Sequence, residues 1–460
     1  MLQNPLTHNH FTFNFALKAC RSTNSFHKSQ EIHAHVTKSG HFSHTHIQNS
    51  LIHLYVTGND IVSAFRVFET IVSPTVVSWT SIVSGFSKCG FYENAIGMFS
   101  VMDVDPNANT VVSVLSACCN LKELNFGKSV HCYVIKRLDQ ENVILDNALL
   151  NFYVKVGSLD DARQVFDEMP KRDVVSWSTM VGGFVQRGFC RKAVSVFDEM
   201  VKQKEAKPNE ATIVNVLAAC ASLGSLSLCE SVHSYVQQRR DIPVEGNVGN
   251  AIINAHAKCG NITSAIHVFK TIRFKDTISW STVINGVAMN GLGRHVLPLF
   301  GLMLVHGVPP DDVTFISLLT ACSHSGLVDE GLMLFKGMVK IYGGIVNERH
   351  CACVVDLYAR SGRLKEAEDF VTFVMGMDME PDGPVWGALV SACRVHGNEV
   401  MVRRVRETLV EKGASGGTLC LVSNSYASSS RWDESMEVRN VMSFLGLKKM
   451  AGCSWIELDV

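Results

Sequence analysis

Apolar residues recur every three to four positions along most of this chain, and short glycine-centred stretches interrupt them. The stretch VVSWSTMVGGF, which begins at Val174, is one such apolar segment, and Gly188 stands where its helix should end. A second segment follows, in which Ala193 and Phe197 lie one helical turn apart. The pattern predicts a hairpin of two helices. The residues expected to pack inward from its first helix are Val175, Met180, Val181 and Phe184.

This hairpin has near copies elsewhere in the chain. VVSWTSIVSGF begins at Val76 and TISWSTVINGV at Thr277, so the phrase returns after about one hundred residues. One hairpin cannot bury its own apolar face, and copies must therefore stack on one another. A second recurring phrase ends in Ala-Cys, at Cys20, Cys118, Cys220 and Cys322. We interpret these cysteines as small buried helix residues in a reducing compartment, not as disulfide partners.

Three kinds of unit alternate within each cycle. VVSW opens one kind, YVKVGSLDDARQVF from Tyr153 is typical of the second, and the Ala-Cys phrase belongs to the third. This alternation resembles the plant pentatricopeptide repeat family, in the PLS subclass of long, short and standard-length units. The resemblance implies an all-α, right-handed superhelical solenoid of helix-turn-helix repeats. We place a short N-terminal segment at 1–9 and eleven tandem repeats at 10–382.

The predicted unit boundaries follow from the phrases. Long units fall at 10–44, 108–142, 210–245 and 312–347; short units at 45–75, 143–173, 246–276 and 348–382; standard units at 76–107, 174–209 and 277–311. From Gly383 onward the pattern changes to two stretches that resemble the extension (E) motifs of the family's RNA-editing branch. We place the first at 383–416 and the second, with the C-terminal end, at 417–460. Because the sequence ends three residues after GCSWIE, we expect no DYW deaminase tail.

Composition limits the classes of function. The 460 residues are 47% hydrophobic and 18% charged, which predicts a folded chain with a sizeable core. The net charge of −1 gives no global basic field, so nucleic-acid contacts must come from local placement. No apolar run approaches the roughly 18 to 20 residues that span a membrane, and the N-terminus shows no transit-peptide pattern. We expect no membrane insertion and no DNA partner.

The family resemblance implies that each unit reads one base of single-stranded RNA through its fifth and last residues. A last Asp accepts the ring N–H of G or U, and a last Asn donates to the bare ring nitrogen of A or C. A fifth Ser or Thr leaves room for a purine, and a fifth Asn suits a pyrimidine. The implied base-reading pairs are Asn49 with Thr75 (a weak pyrimidine), Thr80 with Asn107 (A), Asn147 with Asp173 (U), Ser178 with Asn209 (A), Asn250 with Asp276 (U) and Ser281 with Asp311 (G).

The implied footprint, from 5′ to 3′ along the chain, is YANUANUG. Long units contribute the unspecified positions because Val112, Val214 and Ile316 cannot hydrogen-bond a base. The second residues Val77, Val175 and Ile278 are implied to wedge against base faces. Any one of the polar readers is also a common type of helix-capping residue.

Motifs for catalysis or metal binding are weak. A zinc deaminase needs H-x-E and P-C-x-x-C, and neither occurs in the sequence. FGKS at Phe126 has Lys122 where a phosphate loop needs glycine, so it predicts a solvated helix start. His350, Cys351 and Cys353 would scatter around a helix axis. His33 recurs as His131 and His233, which favours packing. We expect no enzyme activity, no metal and no cofactor.

The favoured hypothesis is a site-recognition factor for organellar C-to-U RNA editing. It would recruit a DYW-type cytidine deaminase in trans, with multiple organellar editing factors as further partners. The alternatives are a factor for organellar RNA splicing, processing or stabilisation and, in a different class, a protein-binding scaffold. We expect a mitochondrial protein, with the chloroplast as the alternative.

Overall fold

The computed structural model describes residues 9–23, 26–137, 142–239, 241–342, 346–375, 383–411 and 416–447. Within these ranges the protein forms twenty-six α-helices, one 3-10 helix (Gly293–His295) and no β-strand, which confirms the all-α prediction. The chain divides into two compact units, Met1–Asn215 and Val216–Val460, and the division falls inside the helix Glu210–Leu223.

The helices follow one another with short connections. They are α1 (His10–Ser22), α2 (Phe26–Lys38), α3 (Thr45–Thr57), α4 (Ile61–Glu69), α5 (Val76–Lys88), α6 (Tyr92–Ser100), α7 (Ala108–Leu121), α8 (Leu124–Arg137), α9 (Val143–Val156), α10 (Leu159–Glu168), α11 (Val174–Gln186), α12 (Cys190–Gln203), α13 (Glu210–Leu223), α14 (Leu226–Gln237), α15 (Gly246–Lys258), α16 (Ile262–Thr271), α17 (Thr277–Met289), α18 (Val296–Val305), α19 (Asp312–Ser325), α20 (Val328–Tyr342), α21 (Glu348–Arg360), α22 (Leu364–Met375), α23 (Gly383–Val395), α24 (Glu399–Glu411), α25 (Gly416–Ser428) and α26 (Trp432–Phe444).

Each of the two compact units is a stack of helical hairpins. In the first compact unit the odd-numbered helices α1 to α11 contact one another in succession, and in the second the odd-numbered helices α15 to α25 do so. From α1 to α12 and from α15 to α26, the even-numbered helix of each hairpin packs against its own odd-numbered partner. The odd-numbered helices α1 to α21 begin at the first residues of the eleven predicted repeats. The assignment of these hairpins to three repeat types stays a prediction.

The tryptophan of the recurring phrase anchors each standard unit to the short unit before it. Trp177 is almost fully buried, and the edge of its ring meets Phe166 with the ring centroids 4.8 Å apart. The same edge-on contact joins Phe68 to Trp79 and Phe269 to Trp280, with centroids 4.9 Å apart in both. Met180, Val181 and Phe184 are buried as predicted. The prediction that Val175 packs inward is wrong, because its side chain is exposed. Val175 lies on the same face of α11 as Ser178, three residues later, and no neighbouring helix covers that face at Val175.

The recurring histidines and most of the recurring cysteines are packing residues, as predicted. His131 Nδ1 lies 2.9 Å from the hydroxyl of Tyr153, and His33 pairs with Tyr55 in the same way at 2.7 Å. In the third cycle the partner of His233 is His256, 2.9 Å away. The cysteines of the Ala-Cys phrase at Cys118, Cys220 and Cys322 are buried, but the prediction is wrong for Cys20, which is only partly buried; every described cysteine is a free thiol.

The C-terminal extension continues the hairpin stack of the second unit. Helices α23 to α26 bury Trp386, Val405, Tyr426 and Val438 in one cluster that also includes Val355 of α21. The region is therefore packed on the last predicted repeat. The GCSWIE motif lies outside the described residues.

Candidate nucleic-acid interface

The last residue of each predicted short or standard unit immediately precedes the first helix of the next unit. In the six such units that end within the described residues, its side-chain oxygen accepts a backbone N–H from the first turn of that helix, which is the usual task of an N-cap. In three of them the last residue is an aspartate, and a carboxylate performs this task. The residues that cap in this way are Thr75, Asn107, Asp173, Asn209, Asp276 and Asp311. Each one therefore has one oxygen committed to the helix start.

In the second standard unit the fifth residue lies beside this cap. Ser178 Oγ is 2.6 Å from Thr212 Oγ1, which in turn donates to Asn209 Oδ1 at 2.9 Å. Ser178 Oγ also lies 3.4 Å from Asn209 Oδ1. Thr212 is fully buried and Asn209 is exposed. The buried hydroxyl and the serine together hold the asparagine amide in one orientation.

The other standard units repeat this arrangement. Ser281 Oγ donates to Asp311 Oδ1 at 3.0 Å and lies 2.6 Å from the hydroxyl of Thr314. Ser281 itself is buried, so its contribution is to hold Asp311 and, as a small side chain, to leave space beside the Asp311 carboxylate. In the first standard unit the corresponding residues are Thr80, Asn107 and Thr110.

In the second short unit an asparagine and an aspartate replace the hydroxyl pair. Asn147 Nδ2 donates to Asp173 Oδ1 at 3.0 Å, and Ser176 Oγ donates to Asn147 Oδ1 at 2.7 Å. Burial tends to raise the pKa of Asp173, but hydrogen bonds from Ser176 and Asn147 outweigh it and hold the pKa below its usual value. Asp173 is therefore an ionised acceptor at neutral pH.

The remaining two short-unit pairs are less tightly connected. Burial tends to raise the pKa of Asp276, but hydrogen bonds from Ser279 and the proximity of the Asn250 amide lower it by more, so the pKa lies below its usual value. Asn250 is close to Asp276 but does not meet hydrogen-bond geometry, and its buried amide oxygen and nitrogen have no partner among the described residues. Asn49 Oδ1 likewise lacks a described partner, and Thr75 bonds Ser78 instead. The structure thus joins four of the six predicted pairs by hydrogen bonds.

The caps determine which atoms remain available. Of the two polar atoms of an asparagine amide only the oxygen can accept a backbone N–H, so capping turns Oδ1 of Asn107 and Asn209 toward the helix, and their Nδ2 donors bond no described residue. Asp173 and Asp311 commit Oδ1 in the same way, and among the described residues no group bonds their Oδ2. One position therefore presents either an N–H donor or an anionic acceptor, according to whether it is Asn or Asp.

Exposed apolar side chains flank these positions. Val77, Val175 and Ile278 are each about half exposed, at 50%, 51% and 55%. Sequence reasoning missed Ile144, the second residue of the second short unit, which is 69% exposed. Its signal was the same as for the others, an apolar residue directly after the first residue of a unit.

Sequence reasoning also missed the buried hydroxyls at the third residue of the following unit. Thr110, Thr212 and Thr314 are fully buried and contact both members of the preceding pair. They follow the cap by three residues, which is the spacing of a capping box and was visible in the sequence.

The weak motifs have structural tasks. His350 accepts the Asn347 N–H at Nδ1, 3.3 Å away, and its Nε2 lies 3.1 Å from the Asp312 carbonyl oxygen. FGKS lies in the first turns of α8, near a helix start as predicted, but Gly127 is buried against the Phe152 ring, so the expectation of a solvated site is wrong there. Among the described residues, no three His, Cys, Asp or Glu side chains are grouped to hold a metal. No described helix is long and apolar enough to cross a membrane.

Comparison with known proteins agrees with this architecture. The family model described as PPR repeat matches residues 77–105, 147–174, 175–204, 250–276, 278–308 and 313–341. The model described as E motif matches residues 399–457.

Two solved structures share the fold. The pentatricopeptide repeat protein PPR10 from maize aligns over 98% of this chain and 71% of its own, with a TM-score of 0.66 and 18% identity. PPR10 in complex with an 18-nt psaJ RNA element aligns over 97% of this chain and 75% of its own, with a TM-score of 0.61 and 16% identity.

Similar proteins occur in Arabidopsis thaliana. Pentatricopeptide repeat-containing protein At4g38010 is 36% identical over 97% of this chain and 80% of its own length. The mitochondrial protein At2g03880 is 34% identical over 97% of this chain and 70% of its own. The chloroplastic protein At1g08070 is 34% identical over 100% of this chain and 66% of its own. With these repeats, this E motif and these relatives, the chain belongs to the pentatricopeptide repeat family.

Proposed function

We propose that this protein binds single-stranded RNA in an organelle and selects a site for C-to-U editing. The observation that supports this most directly is the free atom at each cap. In chain order Asn107 and Asn209 offer donors, whereas Asp173 and Asp311 offer acceptors. A series of this kind suits the Watson-Crick edges of successive unpaired bases.

The comparisons support the ligand and the compartment. The maize relative of the same fold was solved with an RNA element, and the two Arabidopsis relatives are a mitochondrial and a chloroplastic protein. We favour the mitochondrion. The exposed Val77, Val175 and Ile278 would then lie against base faces, and the footprint would be YANUANUG.

The E region supports the editing part of the proposal. Trp432 and Met436 lie one turn apart on α26, and 66% and 62% of their surfaces are exposed. We propose that they form a docking surface for a separate cytidine deaminase of the DYW type, with organellar editing factors as further partners. In this scheme the chain selects the nucleotide and the recruited enzyme performs the chemistry and holds the zinc.

The test is binding of purified protein to an RNA containing UACUACUG and to a shuffled RNA of equal composition, at stated salt concentrations. We expect tighter binding of UACUACUG by about tenfold or more, since one good base contact is worth about 1 to 3 kcal/mol. Equal affinity for both RNAs would contradict base reading and would favour a scaffold.

A single substitution tests the register. Asn209→Asp keeps the cap but replaces the free N–H donor by an acceptor, so the preference at the fifth nucleotide should change from A to G. Asn398→Asp is the matched control, because Asn398 also caps a helix, at 3.1 Å from the Met401 N–H, but lies in the extension. A change of preference in the control, or none in Asn209→Asp, would reject the register.

The editing role is tested separately in plants that lack the protein. We expect loss of C-to-U conversion at one or a few organellar sites that match the footprint. Normal editing together with altered splicing or transcript stability would overturn the editing role and leave RNA binding intact.

A further inference from the structure

A groove of about 850 Å³ lies beside the N-terminal end of α17, between α16 and α18. Asp276, the cap residue of the third short unit, stands at its edge. The groove is therefore next to one of the proposed base-reading positions. The side chains that matter for its chemistry are Lys270, Arg273, Phe274, Lys275, Trp280 and His306.

The groove carries cations that no ion pair neutralises. Among the described residues, Lys270, Arg273 and Lys275 form no salt bridge. The two carboxylates of the lining, Glu245 and Asp276, each accept a backbone N–H instead. The Arg273 guanidinium lies over the exposed Phe274 ring, 5.2 Å from its centroid. The cationic groups thus line the groove without a described salt bridge to either carboxylate.

Trp280 supplies a second, independent observation. Its side chain lines the groove and is 3% exposed, yet its Nε1–H has no partner among the described residues. In the first cycle the corresponding Trp79 Nε1 donates to Asp103 at 2.9 Å. A buried donor that is left unpaired destabilises the folded state. The groove therefore lacks an acceptor where the first cycle has a carboxylate.

The second cycle shows what has changed. Counted from the tryptophan, Asp167 stands where Lys270 stands, and Glu199 where Leu302 stands. Both of these carboxylates pair with Arg163, at 2.9 and 3.2 Å. Trp177 Nε1 also lacks a described partner, and Arg172, which stands where Lys275 stands, bonds the backbone carbonyls of Phe166 and Asp167 and forms no described salt bridge. Among the described residues, the third cycle therefore differs from the second in Lys270 and Arg273, which stand where the second cycle has Asp167 and Pro170.

We propose that this groove binds a backbone phosphate of the RNA, beside the nucleotide read by Asn250 and Asp276. The proposal rests on the proposed function, because its ligand is the RNA. Trp280 Nε1–H donates to a phosphate oxygen, and Lys270 and Arg273 neutralise the charge. The contact adds affinity without sequence preference, which compensates for the absence of a net basic field.

The first experiment uses Lys270→Asp/Arg273→Ala in the full chain, with fluorescent RNAs containing UACUACUG or its shuffled order. We expect about tenfold weaker binding of both RNAs, an unchanged preference between them, and a salt slope smaller by about 0.7, the value for one phosphate on a single strand. Lys365→Asp, an exposed substitution at the start of α22, controls for the added negative charge. Unchanged affinity and slope would overturn the phosphate site even if base preference is intact.

The second experiment uses Trp280→Phe, which removes the donor and keeps an aromatic ring against Phe269. We expect about threefold weaker RNA binding and an equal or higher melting temperature, because an unpaired buried N–H is removed. Trp177→Phe should leave affinity unchanged. Loss of both affinity and stability in Trp280→Phe would show a purely structural tryptophan and overturn the proposal.

Two further measurements identify the occupant. Inorganic phosphate or a polyglutamate peptide could raise the melting temperature of the wild type but not of the double variant. If the two proteins then bind RNA with the same affinity, the groove binds that anion and the RNA proposal is wrong. Equal wild-type affinity for both RNAs, reduced tenfold by the double variant, supports the groove while contradicting base reading.

Discussion

Two regions of the first compact unit contain polar pairs that recur from cycle to cycle, and they differ in what remains free. At the α8–α9 interface, His131 bonds Tyr153 and Gly127 packs on Phe152. At the junction before α13, Ser178 and Thr212 hold Asn209. In the first pair Tyr153 is buried and His131 partly buried between two packed helices, whereas the second ends in an exposed amide whose N–H donors bond no described residue.

Recurrence therefore does not by itself distinguish packing from binding. Both kinds of pair recur along the chain at intervals of about one hundred residues. What separates them is the hydrogen-bonding capacity left after folding. His131 and Tyr153 satisfy each other, but an N-cap asparagine satisfies only its oxygen.

The largest expected effect is at the packing interface. In Gly127→Ala the new Cβ would lie 2.0 Å from Phe152 Cζ, so the two helices must separate. We expect the free energy of unfolding to fall by about 2 to 3 kcal/mol, as for other overpacked cores. Chemical denaturation measures it, and RNA preference in the folded fraction should be unchanged.

Gly97→Ala is the matched control for this change. Gly97 lies within α6, and nothing is within 4 Å of a Cβ built there. It should be neutral or stabilise by up to about 1 kcal/mol through helix propensity. Equal destabilisation by the two substitutions would show that the Gly127–Phe152 contact is not the cause.

A smaller effect separates the two tasks of the junction. Asn209→Ala removes both the cap and the free donor, so we expect a loss of about 1 kcal/mol in unfolding free energy together with weaker discrimination at the fifth nucleotide. Asn209→Asp retains the cap, and its unfolding free energy should remain near that of the wild type. Denaturation and RNA binding are measured on both variants; equal destabilisation by Asp and Ala would show that the cap depends on the amide.

The smallest effect sharpens the comparison of the packing pairs. Burial lowers the pKa of His256 and of its partner His233, and the charge of His233 lowers the pKa of His256 further. In the unfolded chain both histidines titrate near about 6.5, so the unfolded state binds more protons below that pH. Stability from this pair is present above about pH 6.5 and is lost as the pH falls below it.

His256→Tyr recreates the His–Tyr pair of the other cycles. We expect it to reduce the loss of stability between about pH 7.5 and 5.5 by roughly 1 kcal/mol. Burial already lowers the pKa of His131, so the reverse change, Tyr153→His, should increase the acid sensitivity of the second-cycle pair. Melting temperatures across this range measure both, and parallel curves for wild type and His256→Tyr would show that the pair does not control acid sensitivity.

The helices and their order could be predicted from sequence because apolar periodicity and glycine position directly reflect burial. The starts of the helices were equally visible, since Asn, Asp and Thr stand at their caps. The contacts between units were not, because Thr212 and Ser178 are thirty-four residues apart and only stacking brings them together. Likewise the sequence pattern predicted Val175 as a core residue, but it is exposed because no neighbouring helix covers it.

The groove beside Trp280 was also invisible in the sequence. Lys270 and Leu302 look like ordinary variations of Asp167 and Glu199 until the packing places them on one lining with the indole. Charge reversals between copies acquire meaning only when the structure shows which groups they face.

The N-cap arrangement has a consequence for how such arrays are recombined. Each proposed reading site is completed by the third residue of the following helix, so a block cut after Asn209 leaves Thr212 behind. Exchanged blocks should therefore carry at least the first three residues of the next hairpin. The transferable module is a junction between two hairpins, and its borders do not coincide with those of the sequence repeat.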